Sequence, residues 1–383
     1  MGKRKEFLIY GSPLISQEDI NEVLDTIKSG WLGTGPKTRL FENKFSEYLG
    51  VKHCVAVNSC TAALHLAMLA AGIGPGDEVI IPAMTFCATA NAVVHAGATP
   101  IFADICLPDM TLDPEEVERK ISPKTKALIP VHFHGRPAKM DELETIAEKN
   151  KLLIIDDAAH AVEAFYQGKK IGQWADITCF SFYITKNLTT VEGGMVVTDN
   201  EEWANKIKIY ALHGMSHDAW GRFSDKGYRH YQVDVPGFKY NMTDIQSSFG
   251  LHQIEHLEER LSKREEIWHT YNEAFKNLPL ILPPDPAENT VHARHIYAIC
   301  TREDTPMNRD ELMQALYEHN IGTGVHYTAL HLHKYYSEQF GYKKGDFPNS
   351  ETVGGSTLSL PLSPKLTVSD INDVVTAVNN ILT

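Results

Sequence analysis

The feature that most constrains the fold is a regular alternation of short β-branched runs and longer amphipathic runs between residues 50 and 215. The amphipathic stretches, such as TAALHLAMLA and MDELETIAEKN, have the pattern of helices. Seven runs have the composition of strands: CVAV (54–57), EVIIP (78–82), TPIFAD (99–104), KALIPVHF (126–133), KLLIID (151–156), DITCFSF (176–182) and GMVVT (194–198). This alternation predicts an α/β fold with a mostly parallel sheet covered by helices on both faces. The last two runs are joined by a short connection, which allows one antiparallel strand.

The rest of the chain suggests a second, smaller domain. A mainly helical pattern runs to about residue 275, and the proline-rich segment LPLILPPDPAENT follows it. Beyond this break the pattern is mixed α and β. We therefore expect a large domain over residues 1–255, with an N-terminal arm, and a small α+β domain over residues 256–383.

Composition excludes several classes of protein. The 383 residues are 43% hydrophobic and carry a net charge of −13 without a basic block, which argues against nucleic acid as a partner. No apolar run approaches the ~18 residues that a membrane span needs, and the N-terminus lacks the pattern of a secretory signal. The six cysteines are scattered without a Cys-x-x-Cys pair, as expected for reduced thiols in a cytoplasmic protein.

Polar groups follow several of the predicted strands at their carboxyl ends, where ligands gather in sheets of this kind. Asp157 ends the fifth strand and Ser181 lies near the end of the sixth. The segment NSCTAAL follows the first strand and opens a helix, which places Ser59 and Thr61 where free N–H groups favour an anion. Taken alone, that segment is better explained as an ordinary helix cap than as an anion site.

A lysine, Lys186, lies between the last two strands in SFYITKNLTTVEGG. Alone it would read as a solvated loop residue. Together with Asp157, Ser181 and the anion site it matches the needs of pyridoxal phosphate: an amine for attachment, a phosphate site, and an acid for the pyridine nitrogen. Phe86 follows the second strand and could pack on the pyridine face. The paired histidines of HFH (132–134) and HLH (331–333) lack further ligands at matching spacing, so we expect no metal site.

The same segments resemble a known family. NSCTAALHLA, GDEVIIPAMTFCATANAV, IIDDAAHA, SFYITKNLTTVEGGMVVT, GFKYNMTDIQSS and GTGVHYTALHLHKYY are similar, in order and spacing, to motifs of the DegT family of nucleotide-sugar aminotransferases. The likeness extends from GSPLIS to SLPLSPKLT. It implies a fold-type I aminotransferase, with a seven-stranded mostly parallel sheet in the large domain and a smaller C-terminal α+β domain. The resemblance is greatest to members that form UDP-4-amino-4-deoxy-L-arabinose.

The resemblance also implies roles for particular residues. Lys186 would attach pyridoxal phosphate and move a proton, Asp157 would pair with the pyridine nitrogen, and His160 would lie against the ring. The implied cofactor contacts are Ser59, Cys60, Thr61, Ala62, Phe86, Asp157, His160, Ser181, Lys239 and Asn241. The implied substrate contacts are Trp31, Gly33, Thr34, Tyr183, Asn187, His326 and Tyr327. In this family the GFKYN segment reaches the neighbouring subunit's site, which implies a homodimer with shared active sites.

Four positions depart from the family pattern. Cys60 replaces the usual glycine of a turn that approaches phosphate, and Arg294 stands where an aromatic residue is common. Lys239 stands where many relatives have asparagine, and Asn241 where many have arginine. The loss of that arginine leaves the anchor for the donor's carboxylate open.

The implied reaction transfers an amino group from glutamate, which becomes 2-oxoglutarate, to the C-4 ketone of a nucleotide-linked sugar. The amino sugar would serve cell-surface polysaccharide or lipid modification. One alternative is a 3-keto-sugar or cyclitol acceptor. Another is a regulatory or binding protein without turnover, against which the presence of Lys186, Asp157 and Ser181 argues. Relatives that act as dehydratases have histidine in place of the lysine, and this chain retains Lys186.

Overall fold

The structure is a computed structural model, and it describes residues 4–215 and 232–383. The helices of this part are α1 (Gln17–Ser29), α2 (Pro36–Leu49), α3 (Cys60–Ala70), α4 (Cys87–His95), α5 (Pro114–Lys120), α6 (Met140–Asn150), α7 (Glu201–Ala211), α8 (Asp244–Leu251), α9 (Leu257–Phe275), α10 (Arg309–Glu318), α11 (Lys334–Phe340), α12 (Pro348–Ser356) and α13 (Val368–Leu382). The strands are β1 (His53–Val57), β2 (Glu78–Pro82), β3 (Thr99–Ala103), β4 (Thr125–Leu128), β5 (Leu153–Asp157), β6 (Phe165–Tyr166), β7 (Lys169–Lys170), β8 (Ile177–Ser181), β9 (Gly194–Thr198), β10 (Leu280–Ile281), β11 (Thr290–Val291), β12 (Tyr297–Thr301) and β13 (Thr357–Leu360).

Within these residues, the central sheet has seven strands in the order β1-β9-β8-β5-β4-β2-β3. The pairs from β8 through β3 are parallel, whereas β9 runs antiparallel to both β8 and β1. Each of the seven strand-like runs of the sequence contributes one of these strands, so the prediction of a mostly parallel seven-stranded sheet is confirmed. The antiparallel strand is the one that follows the Lys186 segment.

The fourth strand is shorter than its sequence predicts. The run 126–133 reads as one strand, but β4 ends at Leu128 and a short 3-10 helix occupies Phe133–Gly135. Pro130 interrupts the run and has no N–H to give to a sheet. His134 has a φ of 58°, so the HFH segment forms a turn and is not extended.

Two buried apolar clusters lie on the two faces of the sheet. One includes Phe41 and Phe45 of α2 with Phe180 and Phe182, and the other includes the buried face of α3. Successive residues of β8 enter opposite clusters, as expected for a strand buried on both faces. Among the described helices, none combines the length and apolar character that crossing a membrane requires.

A third cluster packs the C-terminal segment around the three-stranded sheet β10-β12-β13. Trp268 and Tyr271 from α9 belong to it, together with residues of α10 and α13, and Leu8 of the N-terminal arm joins it. Earlier in α9, Leu257 belongs to the first cluster of the central sheet. Helix α9 therefore packs against both the central sheet and the C-terminal cluster. The predicted domain boundary between residues 255 and 256 stays a proposal.

Candidate active site

A cavity of about 510 Å³ opens at the carboxyl ends of the central strands. Ser59 follows β1, Asp157 ends β5 and Ser181 ends β8, so three separate strands deliver polar groups to one place. The sequence-predicted residues that line the cavity are Ser59, Cys60, Thr61, Phe86, Asp157, His160, Ser181, Tyr183, Lys186, His326 and Tyr327. The fold therefore brings eleven residues, drawn from positions 59 to 327, around one cavity.

Lys186 lies in the connection between β8 and β9, and its side chain lines the cavity. Its backbone N–H donates a hydrogen bond of 2.9 Å to the carbonyl oxygen of Tyr183, which fixes the turn. Burial lowers the pKa of the Lys186 amine to about 8, although the nearby Cys60 and Asp157 act in the opposite direction. Near neutral pH, more of this amine is uncharged than in a solvated lysine, so it can act as a nucleophile and a base.

Asp157 is buried, and two donors hold its carboxylate. Thr89 Oγ1 donates a hydrogen bond of 2.7 Å to Oδ2, and the backbone N–H of Ala159 lies 3.2 Å from Oδ1. Burial raises the pKa of Asp157, while these two hydrogen bonds and Lys186 oppose the rise. Another positive charge brought against this carboxylate would stabilise its ionised form further.

The start of α3 forms an anion site. Ser59 caps the helix, with its Oγ accepting a hydrogen bond of 3.1 Å from the N–H of Ala62. The N–H groups of Cys60 and Thr61 precede the helix's own hydrogen bonds and are available to a ligand. Gly194 of β9 packs directly beneath, since a Cβ there would come within 2.5 Å of the Ser59 carbonyl carbon.

Cys60 fits this turn despite replacing glycine. Its side chain is buried, and Sγ lies 3.7 Å from the carbonyl oxygen of Cys179 in β8. Burial raises the pKa of the Cys60 thiol well above its usual value, so the sulfur stays neutral. The side chain thus packs toward the sheet, and the backbone N–H of the turn is not obstructed by it.

Aromatic and imidazole rings line the rest of the cavity. The Tyr327 hydroxyl lies 3.4 Å from His160 Nε2, and the Phe86 ring centroid is 5.6 Å from that of Tyr327. His326 Nδ1 lies 2.8 Å from Ser359 Oγ. Burial lowers the pKa of His326 to about 4 and that of His160 well below its usual value. These imidazoles are neutral, so they can both donate and accept hydrogen bonds.

Three other predicted cofactor contacts, Ala62, Lys239 and Asn241, lie outside the cavity lining. Lys239 Nζ donates a hydrogen bond of 2.6 Å to Asn241 Oδ1. Their segment runs beside Asn58, whose N–H donates to the carbonyl oxygen of Tyr240 at 2.7 Å. The segment is therefore next to the residue that precedes the Ser59 cap, within the same chain. Its contact with a phosphate stays a prediction.

The predicted substrate residues Trp31, Gly33 and Thr34 form a loop between α1 and α2 that is tied to the same segment. Asn241 Nδ2 donates a hydrogen bond of 2.6 Å to Thr34 Oγ1, and the N–H of Asp244 donates to the Gly33 carbonyl oxygen at 3.0 Å. The Trp31 side chain is 45% exposed. The loop does not line the cavity of a single chain, so these substrate contacts also stay predictions.

Sequence reasoning missed several residues of the site. Thr89, whose hydroxyl bonds Asp157, follows Phe86 by three residues, but nothing in the local sequence pattern marks it. Tyr10 and His295 line the cavity from distant parts of the chain. Asn187 was expected to contact substrate, whereas its side chain bonds Glu163, His295 and the backbone of Ala293. Only the three-dimensional fold brings these groups together.

The residues present fit pyridoxal phosphate. Lys186 offers an amine of lowered pKa, the start of α3 offers N–H groups for a phosphate, and Asp157 is a buried carboxylate whose charge is only partly compensated. The same cavity contains all three, and a protonated pyridine nitrogen would supply the missing compensation for Asp157.

Comparison with known proteins identifies the family. The DegT/DnrJ/EryC1/StrS aminotransferase family matches residues 13–379. The chain belongs to this family. It is a sugar aminotransferase that depends on pyridoxal phosphate, as solved relatives in cofactor-bound forms also indicate.

Individual relatives match this chain over nearly its full length. The spore coat polysaccharide biosynthesis protein SpsC of Bacillus subtilis is 48% identical over 382 residues, covering 99% of this chain and 98% of the relative. The putative sugar aminotransferase Spr1654 of Streptococcus pneumoniae, in its pyridoxal phosphate form, has a TM-score of 0.91 at 32% identity, covering 98% of this chain and 100% of that one. Helicobacter pylori PseC, an aminotransferase of pseudoaminic acid biosynthesis, has a TM-score of 0.91 at 29% identity, with 99% of both chains covered. The predictions of a fold-type I aminotransferase and of the cofactor are confirmed.

Each polar group in the cavity has a separate chemical role. When bound, pyridoxal phosphate supplies an aldehyde carbon and a ring that withdraws electrons from the reacting carbon. In the roles we assign, the N–H groups of Cys60 and Thr61 would hold the phosphate, and the Asp157 carboxylate would keep a positive charge on the ring nitrogen. Lys186 would be the point of attachment, and its Nζ would carry the proton that the reaction moves.

Proposed function

We propose that this sugar aminotransferase takes its amino group from glutamate and adds it to the C-4 ketone of a nucleotide-linked sugar. The observation that carries the proposal is the composition of the cavity wall. Neutral His160 and His326, with Tyr10 and Tyr327, provide groups for sugar hydroxyls within a volume typical of small-molecule sites. The choice of C-4 rests on the motif resemblance to enzymes that form UDP-4-amino-4-deoxy-L-arabinose.

The relatives support a role for the product in cell-surface carbohydrate. SpsC carries a name from spore coat polysaccharide biosynthesis, and PseC is described as acting in the biosynthesis of pseudoaminic acid. By analogy, we assign the amino sugar made here to polysaccharide or lipid modification. We place the reaction in the cytoplasm, because all six cysteines are free thiols, as expected in a reducing compartment.

We also propose that the active unit is a homodimer with shared sites. Helix α1 exposes Ile20, Leu24 and Ile27 at the spacing of one helix face, and Trp31, Leu32 and Leu40, which follow α1 in the chain, are also exposed. An exposed apolar face of this kind favours burial against another protein. It adjoins the loop that is tied to Lys239 and Asn241, which is the segment that family resemblance assigns to the partner's phosphate site.

The experiment is a substrate panel. Purified protein loaded with pyridoxal phosphate is given glutamate with one of three acceptors: a UDP-linked 4-keto-pentose, a nucleotide-linked 3-keto-sugar or a keto-cyclitol. The expected result is formation of 2-oxoglutarate and of a 4-amino sugar, with the highest kcat/KM for the 4-keto substrate. A higher kcat/KM for the 3-keto-sugar or the cyclitol would overturn the C-4 assignment. If another amino acid supports turnover and glutamate does not, the assignment of glutamate as the amino donor is wrong.

A further inference from the structure

The side-chain amide of Asn187, the residue after Lys186, is held in one orientation. Its Nδ2 donates to two groups that can only accept: Glu163 Oε2 at 2.8 Å and the carbonyl oxygen of Ala293 at 2.9 Å. The reverse assignment would place an oxygen against two other oxygens. The amide nitrogen therefore lies on that side, and the oxygen Oδ1 faces the other way.

Glu163 is itself fixed. Its other oxygen, Oε1, accepts a hydrogen bond from Arg264 Nη2, and both side chains are almost fully buried. Rotation of this buried carboxylate away from Arg264 would leave the arginine charge uncompensated, so its orientation is held. The anchor for Asn187 is thus a rigid one.

Asn187 Oδ1 lies 2.9 Å from His295 Nδ1. Since the amide oxygen cannot donate, the hydrogen in this bond belongs to Nδ1. Burial and the charges of Lys186 and Arg264, together with the neighbouring imidazoles, lower the pKa of His295 well below its usual value. A neutral imidazole has one N–H, and here Nδ1 carries it, so Nε2 presents a lone pair.

This second nitrogen is open to the cavity. His295 lines the cavity at a ring distance of 4.6 Å from His160. Among the residues that the structure describes, none forms a hydrogen bond with His295 Nε2, and this atom retains some accessible surface. It is therefore accessible to a ligand in the cavity.

We propose that His295 is a substrate-binding residue that accepts a hydrogen bond at Nε2 from a hydroxyl group of the sugar, and that Glu163 and Asn187 are positioning residues that set its tautomer. A hydroxyl can donate to this lone pair, whereas a ketone oxygen cannot. An ammonium group of the amino donor could also donate. Separate measurement of the two half-reactions distinguishes these two donors, because the sugar and the amino donor react in different half-reactions.

The tautomer can be tested without turnover. Holoenzyme labelled with ¹⁵N-histidine is studied by NMR between pH 6 and 9, and the signals of His295 are assigned by their loss in His295→Phe. We expect a neutral ring with its proton on Nδ1 in the wild type. In Asn187→Ala we expect loss of this preference, whereas Asn150→Ala, a distant half-buried asparagine, should leave it unchanged. A proton on Nε2 in the wild type, or an unchanged tautomer in Asn187→Ala, would refute the proposal.

The ligand class is tested by measuring the two half-reactions separately by visible absorbance. For His295→Phe we expect the KM for the UDP-linked 4-keto-pentose to rise at least tenfold, while the rate with glutamate changes much less. Equal losses in both half-reactions, or a loss confined to glutamate, would show that His295 does not bind a sugar hydroxyl. If the wild type does not use this sugar, the proposed C-4 function fails, and the same comparison is made with the acceptor that the substrate panel identifies. An unchanged KM for that acceptor in His295→Phe would refute the sugar contact of His295.

Discussion

Thr89 Oγ1 donates a hydrogen bond of 2.7 Å to Asp157 Oδ2, and Thr85 Oγ1 lies 2.9 Å from the same threonine oxygen. Thr89 is part of α4 and Asp157 ends β5, so a helix on one side of the sheet holds the carboxylate of the central strand. All three side chains are buried. This bond favours the ionised form of the acid, which is the form that can retain a protonated pyridine.

The first prediction is that Thr89→Val weakens cofactor binding. Loss of a hydrogen bond to a buried charged group costs ~1.5–3 kcal/mol, so the affinity for pyridoxal phosphate should fall about tenfold or more. Thr89→Ser, which keeps the hydroxyl, is the control and should stay close to the wild type. Affinity is measured by spectrophotometric titration of cofactor-free protein. Equal affinities for the valine and serine variants would show that this bond does not support Asp157.

The second prediction concerns the pH dependence of cofactor loading. Only the uncharged amine of Lys186 attacks the aldehyde, and burial lowers its pKa to about 8. The rate of loading should rise with pH up to about 8 and then level off. The rate is followed by stopped-flow absorbance after cofactor-free protein is mixed with pyridoxal phosphate, with Lys186→Arg as the control. A rate that keeps rising to pH 10 would indicate an ordinary, solvated lysine.

The third prediction is a stability effect away from the site. Burial raises the pKa of Glu42 in α2 to about 7, although the N–H of Ala56 donates a 2.9 Å hydrogen bond to its carboxyl. Because the folded state binds the proton more tightly than the unfolded state, the contribution of Glu42 to stability is full below about pH 4.5. It declines as the pH rises to about 7, by roughly 2–3 kcal/mol.

This effect is isolated by Glu42→Gln, whose amide oxygen can still accept from Ala56. Urea unfolding of both proteins at pH 5 and pH 8 gives the difference in unfolding free energy at each pH. We expect the glutamine variant to gain stability relative to the wild type as the pH rises. An identical difference at both pH values would mean that Glu42 titrates normally in the folded protein.

The fourth prediction tests the dimer. Leu24 is 46% exposed on the apolar face of α1, and a lysine there would place a charge in the proposed interface. Sedimentation of the wild type should give twice the chain mass, and Leu24→Lys should shift the protein toward the monomer. Val368→Lys serves as the control, since Val368 is 76% exposed at the start of α13. A monomeric wild type, or a Leu24→Lys dimer as stable as the wild type, contradicts the assignment.

Features carried by local pattern could be predicted from the sequence. The strands were recognisable as short β-branched runs, and Ser59, Asp157 and Ser181 were recognisable because each lies where such a run ends. In a mostly parallel sheet, those ends share one edge, so the sequence places the three groups together without knowledge of the side-chain contacts. The fourth strand is shorter than predicted because Pro130, which has no N–H to donate, lies within the run.

Features that depend on contacts between distant residues could not be predicted. The link from Glu163 to Asn187 and from Asn187 to His295 joins residues 24 and 108 positions apart. No periodicity marks them, because each lies in a loop or turn whose course is set by packing elsewhere. The hydrogen bond between Thr34 and Asn241 joins residues 207 positions apart, and the local sequence pattern does not predict it either.

The central claim is that Lys186 is the residue that attaches pyridoxal phosphate. Holoenzyme is reduced with borohydride, digested and mapped by mass spectrometry, with Lys186→Arg treated in parallel. The account predicts a pyridoxyl group on the peptide that contains Lys186, and none on any peptide of the variant. A pyridoxyl group on another lysine, such as Lys239 beside the α3 anion site, or its absence from the Lys186 peptide of loaded protein, would contradict the account.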